Sequence, residues 1–163
     1  MLLQTKYFGQ LDCPEEQMLH FPKGLFGFET EKQFFLLPFQ GGGGSLLCFQ
    51  SADTPALAFT AMNPFFLKPD YAPVLSGEEL TELEVECSEE LCFYVLCVAR
   101  NPAAESTVNL RCPVAINDRT RQAMQVILDT QDYHMHHLLS EFSKKKEGEA
   151  PSRSYSENRV SPY

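Results

Sequence analysis

Short apolar runs, broken by Gly, Pro, Asn and Asp roughly every 8–12 residues, dominate the chain and limit what it can fold into. This spacing is typical of an all-β domain, because a strand needs few residues and each break supplies a turn. Residues 83–87 alternate between apolar and acidic side chains, as in a half-buried strand. Residues 91–99 are almost wholly apolar, as in a strand buried on both faces.

The sequence therefore predicts a mainly β fold: an antiparallel, closed sheet of barrel-like or roll-like form, with one short helix and a disordered C-terminal tail. The predicted strands are residues 3–8, 17–21, 33–39, 46–50, 57–62, 71–75, 83–87, 91–99, 107–110, 114–116 and 125–128. The helix begins at a capping box formed by Ser76 and Glu79 and extends to Leu83 at most. The four glycines at residues 41–44 predict a flexible hairpin loop between two strands.

Length and composition predict one domain. The chain has 163 residues, 44% of them hydrophobic, with 13 Phe and 6 Tyr, which is enough for a core without metal or disulfide support. From residue 143 the composition becomes polar, with Val160 as the one aliphatic residue larger than Ala, and such a segment buries too little to order itself. We therefore expect a β domain over residues 1–142 and a disordered tail over residues 143–163.

The net charge of -9 argues against direct binding to nucleic acid, which needs basic surface. Residues 1–140 hold 8 Lys and Arg against 18 Asp and Glu, so the folded part carries the acidity. Seven Glu and no Lys or Arg lie between residues 78 and 90. This segment is either a solvated face or a docking surface for a basic protein.

Cysteine usage and the N-terminus indicate a cytoplasmic protein. Residues 1–7 contain no long apolar segment of a secretory signal, and no apolar stretch approaches the roughly 20 residues of a membrane helix. Five of the six cysteines lie in or beside apolar runs, where a free Cys acts as a small hydrophobe. A reducing compartment fits this pattern better than a disulfide framework.

Catalytic and metal-binding motifs are weak. His134, His136 and His137 with Asp132 form one metal-like cluster, but no Cys-x-x-Cys accompanies them. Cys13 has acidic neighbours, which oppose the thiolate that a nucleophile needs. We predict no catalytic residue, no cofactor and no metal site.

Two loops are rich in aromatic residues, at residues 21–28 and 63–71. Pro and Gly in these segments favour loops over strand centres. Their aromatic side chains either plug one end of a barrel or present an apolar docking patch.

Three segments carry a resemblance to a known family: TKYFG at residues 5–9, FPKGLFGFE at residues 21–29 and TVNLRCPVAIN at residues 107–117. Together with residues 49–51, 64–65, 69–71 and 125–128, they resemble the flagellar assembly factor FliW family from about residue 3 to residue 138. Departures include Phe26, where the family usually has Pro, and Cys112, where Ala is usual. For residues 118–125, where propensity permits a helix, the resemblance implies a turn leading into a strand.

The resemblance implies a cytoplasmic, non-enzymatic protein that binds two partners in turn. One is newly made flagellin. The other is CsrA, a basic homodimeric RNA-binding repressor of flagellin mRNA translation, which the free factor antagonises allosterically. We expect the protein alone to be monomeric and to bind neither nucleic acid nor membrane. A small Cys or His enzyme and a barrel that holds an apolar ligand remain open as alternatives.

Patch chemistry then assigns candidate residues to each partner. The CsrA-facing acidic surface is predicted to comprise Asp70, Glu78, Glu79, Glu82, Glu84 and Glu86. The flagellin-contacting apolar loops are predicted to provide Phe21, Leu25, Phe26, Phe28, Phe65 and Tyr71.

Overall fold

The computed structural model describes residues 1–40 and 45–142 and contains short strands with a few short helices. The strands are β1 (Leu2–Gln4), β2 (Gln10–Asp12), β3 (Leu19–His20), β4 (Gln33–Pro38), β5 (Leu46–Ser51), β6 (Ala58–Met62), β7 (Cys92–Val98), β8 (Thr107–Val108), β9 (Val114–Asn117), β10 (Gln122–Gln125) and β11 (His137–Leu138). The α-helices are α1 (Pro64–Leu67) and α2 (Gly77–Glu82), residues 139–142 are also helical, and single 3-10 turns cover Glu15–Gln17, Ser88–Glu90 and Ala103–Glu105.

Seven strands close into a barrel in the order β3-β4-β5-β6-β7-β9-β10 and back to β3. Six of these pairings are antiparallel, and β3 pairs with β10 in parallel through His20 and Gln122. A ring with an odd number of strands cannot alternate direction throughout, so one parallel pair is unavoidable. The predicted closed β sheet is confirmed, and the all-antiparallel expectation is corrected at this one pair.

Buried apolar side chains from all seven barrel strands fill the interior of the barrel. They alternate along each strand, as Leu47 and Phe49 do on β5, which leaves the intervening residues facing outward. Phe21 packs edge-on against Phe34 and Phe49, with ring centroids 5.3 and 6.1 Å apart. The interior filled by Phe and Leu disfavours the alternative of a barrel that encloses an apolar ligand.

A second apolar layer covers the outer side of β7 and β9. It contains side chains from α1, from residues 71–75 and from the chain after β10, packed against Phe93, Val95 and Ala115. The hairpin of β1 and β2 covers a third, smaller cluster around Phe35. The outer layer positions α2 and the loops before it on the surface of the barrel.

The predicted helix is confirmed. The Ser76 hydroxyl accepts a hydrogen bond from the Glu79 amide at 3.2 Å, and the Glu79 carboxylate accepts one from the Ser76 amide at 2.8 Å. Helix α1, in a segment predicted as loop, was missed; Asn63 caps it through the Phe65 amide at 2.9 Å. The predicted turn and strand over residues 118–125 are confirmed, since a turn precedes β10.

Two predicted strands are wrong, and a third is displaced along the chain. In residues 83–87, Leu83, Glu84 and Val85 donate their amides to carbonyls of α2, so these amides terminate the helix instead of joining a sheet. Glu84 also takes a left-handed φ of 60°, which is incompatible with a strand. Residues 71–75 form an extended loop, and the strand expected at residues 125–128 lies three residues earlier, as β10. Short strands β2 and β11 were not predicted.

Two predictions fall outside the described residues. These are the hairpin loop at residues 41–44 and the disordered tail at residues 143–163. The strands on either side of the first segment, β4 and β5, do pair in antiparallel fashion.

Candidate functional site

The first candidate feature is the aromatic loop, residues 22–28, which packs against the barrel. Gly24 and Gly27 take φ values of +68° and +86°, which favour glycine, and a Cβ on Gly24 would lie 2.5 Å from the Phe28 carbonyl oxygen. Leu25 is 1% exposed and packs into the barrel interior between these glycines. The loop is therefore tightly folded and anchored by one inward-facing side chain.

Phe26 and Phe28 face outward from the aromatic loop. Phe26 is 48% exposed and Phe28 is 40% exposed. The Phe28 ring packs edge-on against Phe59, with centroids 5.0 Å apart. Phe28 and Phe59 thus form an aromatic pair, and Phe26 adds a second exposed aromatic side chain to the same loop; exposed apolar side chains of this kind mark an interaction site.

The second feature is the acidic segment, residues 78–90, formed by α2 and the turns after it. Glu78, Glu84 and Glu86 are exposed. Glu79 is engaged in the capping box, and Glu82 forms an ion pair with Lys23 of the aromatic loop at 3.0 Å. The acidic segment and the aromatic loop are thus neighbours on the surface.

The third feature is a groove of about 660 Å³ beside α2. Its apolar lining comes from α1, from residues 71–75, from α2 and from β7, and its acidic lining comes from Glu86 and Glu89. Val74, 74% exposed, lies on its edge. The principal apolar lining residues are Phe65, Tyr71, Leu75, Leu80, Leu91 and Phe93.

The groove brings together residues that were predicted for two separate surfaces. Phe65 and Tyr71 were assigned to flagellin and Glu86 to CsrA, yet all three line the same groove. The remaining acidic candidate, Asp70, precedes the groove segment and forms an ion pair with Lys68 at 3.2 Å. A groove with apolar lining and carboxylates at its edge suits an amphipathic segment that carries basic residues.

Three of the predicted flagellin-contacting residues are corrected, because they belong to the core. Phe21 and Leu25 pack inside the barrel, as the plugging alternative expects. Tyr71 is 3% exposed, and its hydroxyl donates a hydrogen bond to the Leu110 carbonyl at 2.6 Å. Burial raises the pKa of Tyr71 well above its ordinary value. Phe26, Phe28 and the half-buried Phe65 remain available at the surface.

Sequence reasoning missed two buried amides that hold these features in place. Gln125 on β10 accepts a hydrogen bond from the Phe26 amide at 3.0 Å. Asn117 on β9 donates to the Leu83 carbonyl at the end of α2, at 2.8 Å. The available signal was a polar amide inside or directly after an apolar run, since a buried amide needs partners.

The cysteines do not support thiol chemistry. The pKa values of all six thiols are raised above the ordinary value, with burial as the first cause, whereas a nucleophilic Cys needs a lowered pKa. Burial raises the pKa of Cys48 and of Cys97 to about 11.

The histidines form a local structural cluster. The Nε2 atom of His137 accepts a hydrogen bond from the His134 amide at 2.8 Å, and its Nδ1 lies 3.3 Å from Glu141. Within residues 1–40 and 45–142, no group of three or more His, Cys, Asp or Glu side chains is arranged to hold a metal ion. In the same residues, no helix is long and apolar enough to cross a membrane.

The fold and these features define a class: a small closed β-barrel with a filled interior, whose candidate binding features all lie on its outer surface. Comparison with known proteins gives the family. The model of the FliW protein family matches residues 2–139. The chain belongs to the FliW family of flagellar assembly factors.

Individual relatives agree with this assignment over most of their length. The chain is 33% identical to the flagellar assembly factor FliW of Alkaliphilus metalliredigens, covering 90% of this chain and 91% of the relative. It is 36% identical to that of Thermotoga neapolitana, covering 86% and 94%. The crystal structure of a flagellar assembly factor FliW matches with a TM-score of 0.79 at 33% identity, covering 85% of this chain and 96% of the other.

Proposed function

We propose that this protein binds newly made flagellin and, when free of flagellin, binds and allosterically antagonises the translational repressor CsrA. In this proposal it acts in the cytoplasm, as a monomer and without catalysis, cofactor or direct contact with nucleic acid. Release of CsrA repression would then follow the export of flagellin. The proposal rests on membership of the FliW family together with the surface chemistry described above.

The observation that carries the proposal is the junction of apolar and acidic surface. The groove offers Phe65, Leu80 and Val74 beside Glu86 and Glu89. Helix-in-groove recognition uses apolar anchors in such a groove, and carboxylates at its edge select partners with Lys or Arg beside those anchors. To bind this groove, flagellin or CsrA needs only an amphipathic segment that carries Lys or Arg beside its apolar anchors.

The partner assignments follow from exposure. For flagellin we propose the exposed aromatic rings of Phe26 and Phe28, with Phe65 in the groove, since exposed apolar side chains mark interaction sites. For CsrA we propose the acidic segment, in which Glu78, Glu84 and Glu86 have their side chains exposed. Asp70, Glu79 and Glu82 add charge to that surface while already engaged in the contacts given above.

Charge reversal tests the CsrA assignment. The triple variant of Glu78, Glu84 and Glu86 to Lys is titrated with the CsrA of the same organism at two salt concentrations. A matched triple variant reverses three other exposed acidic residues, Glu15, Glu16 and Glu105, and so produces the same change in net charge. We expect salt-sensitive binding in the wild type, large loss in the first triple variant and near-normal binding in the second.

Equal effects of the two triple variants would show that only overall charge matters and would reject the acidic segment as the CsrA site. Addition of flagellin to the wild-type titration tests the switch, and CsrA binding should disappear. If flagellin binds and CsrA does not, the protein binds flagellin without the translational switch. Binding to neither partner would reject the proposed function.

A further inference from the structure

Gln125 joins the aromatic loop to the barrel through a single side chain. This residue is 8% exposed, and its Oε1 accepts the hydrogen bond from the Phe26 amide at 3.0 Å. Its Nε2 donates to the Cys112 carbonyl at 3.1 Å. The two bonds fix the amide orientation, because reversing it would place a donor against a donor and an acceptor against an acceptor.

The attachment lies directly beneath one of the exposed side chains of the aromatic loop. Leu25 holds the loop from below, and the Phe28 amide donates to the Leu25 carbonyl at 2.8 Å. Between these two residues, Gln125 holds the backbone of Phe26, while the Phe26 side chain is half exposed. Fixing a backbone under an exposed aromatic side chain lowers the conformational entropy lost when that side chain binds a partner.

We infer that Gln125 is a positioning residue for partner binding: it preorganises the aromatic loop so that Phe26 and Phe28 face a partner together. This inference rests on the proposed contact between these rings and flagellin. Gln125 itself is buried and touches no partner, so its effect on binding must pass through the loop. The chain has Phe at position 26, and the hydrogen bond to Gln125 uses the amide that a Pro there would lack.

Three variants test the inference. Gln125→Leu removes both hydrogen bonds at similar side-chain volume. Gln125→Glu keeps an oxygen acceptor for the Phe26 amide and, as the protonated acid, a donor for the Cys112 carbonyl. Gln50→Leu is the matched control, because Gln50 is also a buried barrel glutamine that holds a loop amide, that of Lys6 at 2.9 Å, on the β1–β2 side of the barrel.

Hydrogen exchange gives a readout that needs no partner. We expect the Phe26 amide to be protected in the wild type, to exchange faster in Gln125→Leu and to remain protected in Gln125→Glu and in Gln50→Leu. Unchanged exchange at Phe26 in a folded Gln125→Leu variant would overturn the inference. If that variant does not fold, an unprotected Phe26 amide in the wild type would overturn it equally.

Flagellin binding gives the second readout. We expect Gln125→Leu to weaken binding about five- to tenfold, as for loss of one hydrogen bond and of preorganisation, with a smaller effect in Gln50→Leu. In a Phe26→Ala background the effect of Gln125→Leu should largely vanish, since the two residues act through one contact. Fully additive effects would overturn the positioning role, whereas a normal affinity in Phe26→Ala alone would reject the proposed flagellin surface.

Discussion

Leu25 and Phe26 are adjacent in sequence but face opposite ways, so substituting each of them separates folding from binding. Leu25 is 1% exposed inside the barrel, and Phe26 is 48% exposed on the outer surface. We expect Leu25→Ala to destabilise the fold while Phe26→Ala leaves stability nearly unchanged. We expect Phe26→Ala to weaken flagellin binding in a protein that still melts normally.

The size of the stability loss follows from the burial of Leu25. Replacing Leu by Ala removes three carbon groups, each worth about 0.8 kcal/mol of transfer free energy. A closed barrel that is packed from all sides collapses poorly around the gap, so the cavity raises the cost to about 3–5 kcal/mol. In a domain of this size each kcal/mol lowers the melting temperature by about 2–4 °C, which gives a fall of about 6–20 °C.

Urea unfolding is followed by far-ultraviolet circular dichroism, because the chain contains no Trp. In Leu25→Ala the urea midpoint should fall, while the slope of the unfolding free energy against urea concentration stays unchanged. In Phe26→Ala the free energy of unfolding should stay within about 0.5 kcal/mol of the wild-type value. A Leu25→Ala protein with the wild-type midpoint but no flagellin binding would show that Leu25 contacts flagellin directly. It would also refute the account of Leu25 as a plug of the barrel.

Three further predictions test the packing. Gly24→Ala should destabilise the fold more than Gly27→Ala in the same urea assay: both have positive φ, but only at Gly24 would the new methyl group meet a backbone carbonyl oxygen at 2.5 Å. Tyr71→Phe should cost about 1–2 kcal/mol, because it leaves a buried carbonyl without its donor; a wild-type midpoint would contradict the hydrogen bond. The free energy of unfolding should fall as the pH rises from 9 to 11, because the pKa of the Cys48 and Cys97 thiols is near 9 in the unfolded chain but about 11 in the folded protein. The double variant Cys48→Ala, Cys97→Ala should show a smaller fall over the same pH range.

The strand pattern was predictable because its cause is local. Short apolar runs bounded by turn residues mark strands such as β5 and β7, and both the runs and the breaks are visible in the sequence itself. The capping box at Ser76 was predictable for the same reason, since both of its hydrogen bonds lie within four residues. The closed sheet was predictable from the number of apolar runs and from their short length.

The acidic segment was misread because alternation has more than one physical cause. Leu83 and Val85 point inward from the turn that ends α2. Glu84 lies between them with a left-handed φ, so apolar and acidic residues alternate in the sequence as they would in a strand. The burial of Tyr71 was equally hidden, since its partners Leu110 and Tyr133 lie far away in sequence. Both errors involve contacts that no local pattern records.

The outer features of this barrel share one structural principle. Each is held by a buried polar side chain that bonds to a backbone group: Gln125 to the Phe26 amide, Asn117 to the Leu83 carbonyl and Tyr71 to the Leu110 carbonyl. A backbone carbonyl is present whatever side chain the residue carries, and a backbone amide is present in every residue except Pro. Exposed residues can therefore be exchanged without moving the loop, whereas loss of one buried polar group leaves its partner unsatisfied in the interior. This arrangement allows surface chemistry to change while the geometry of the aromatic loop and of α2 stays fixed by the barrel.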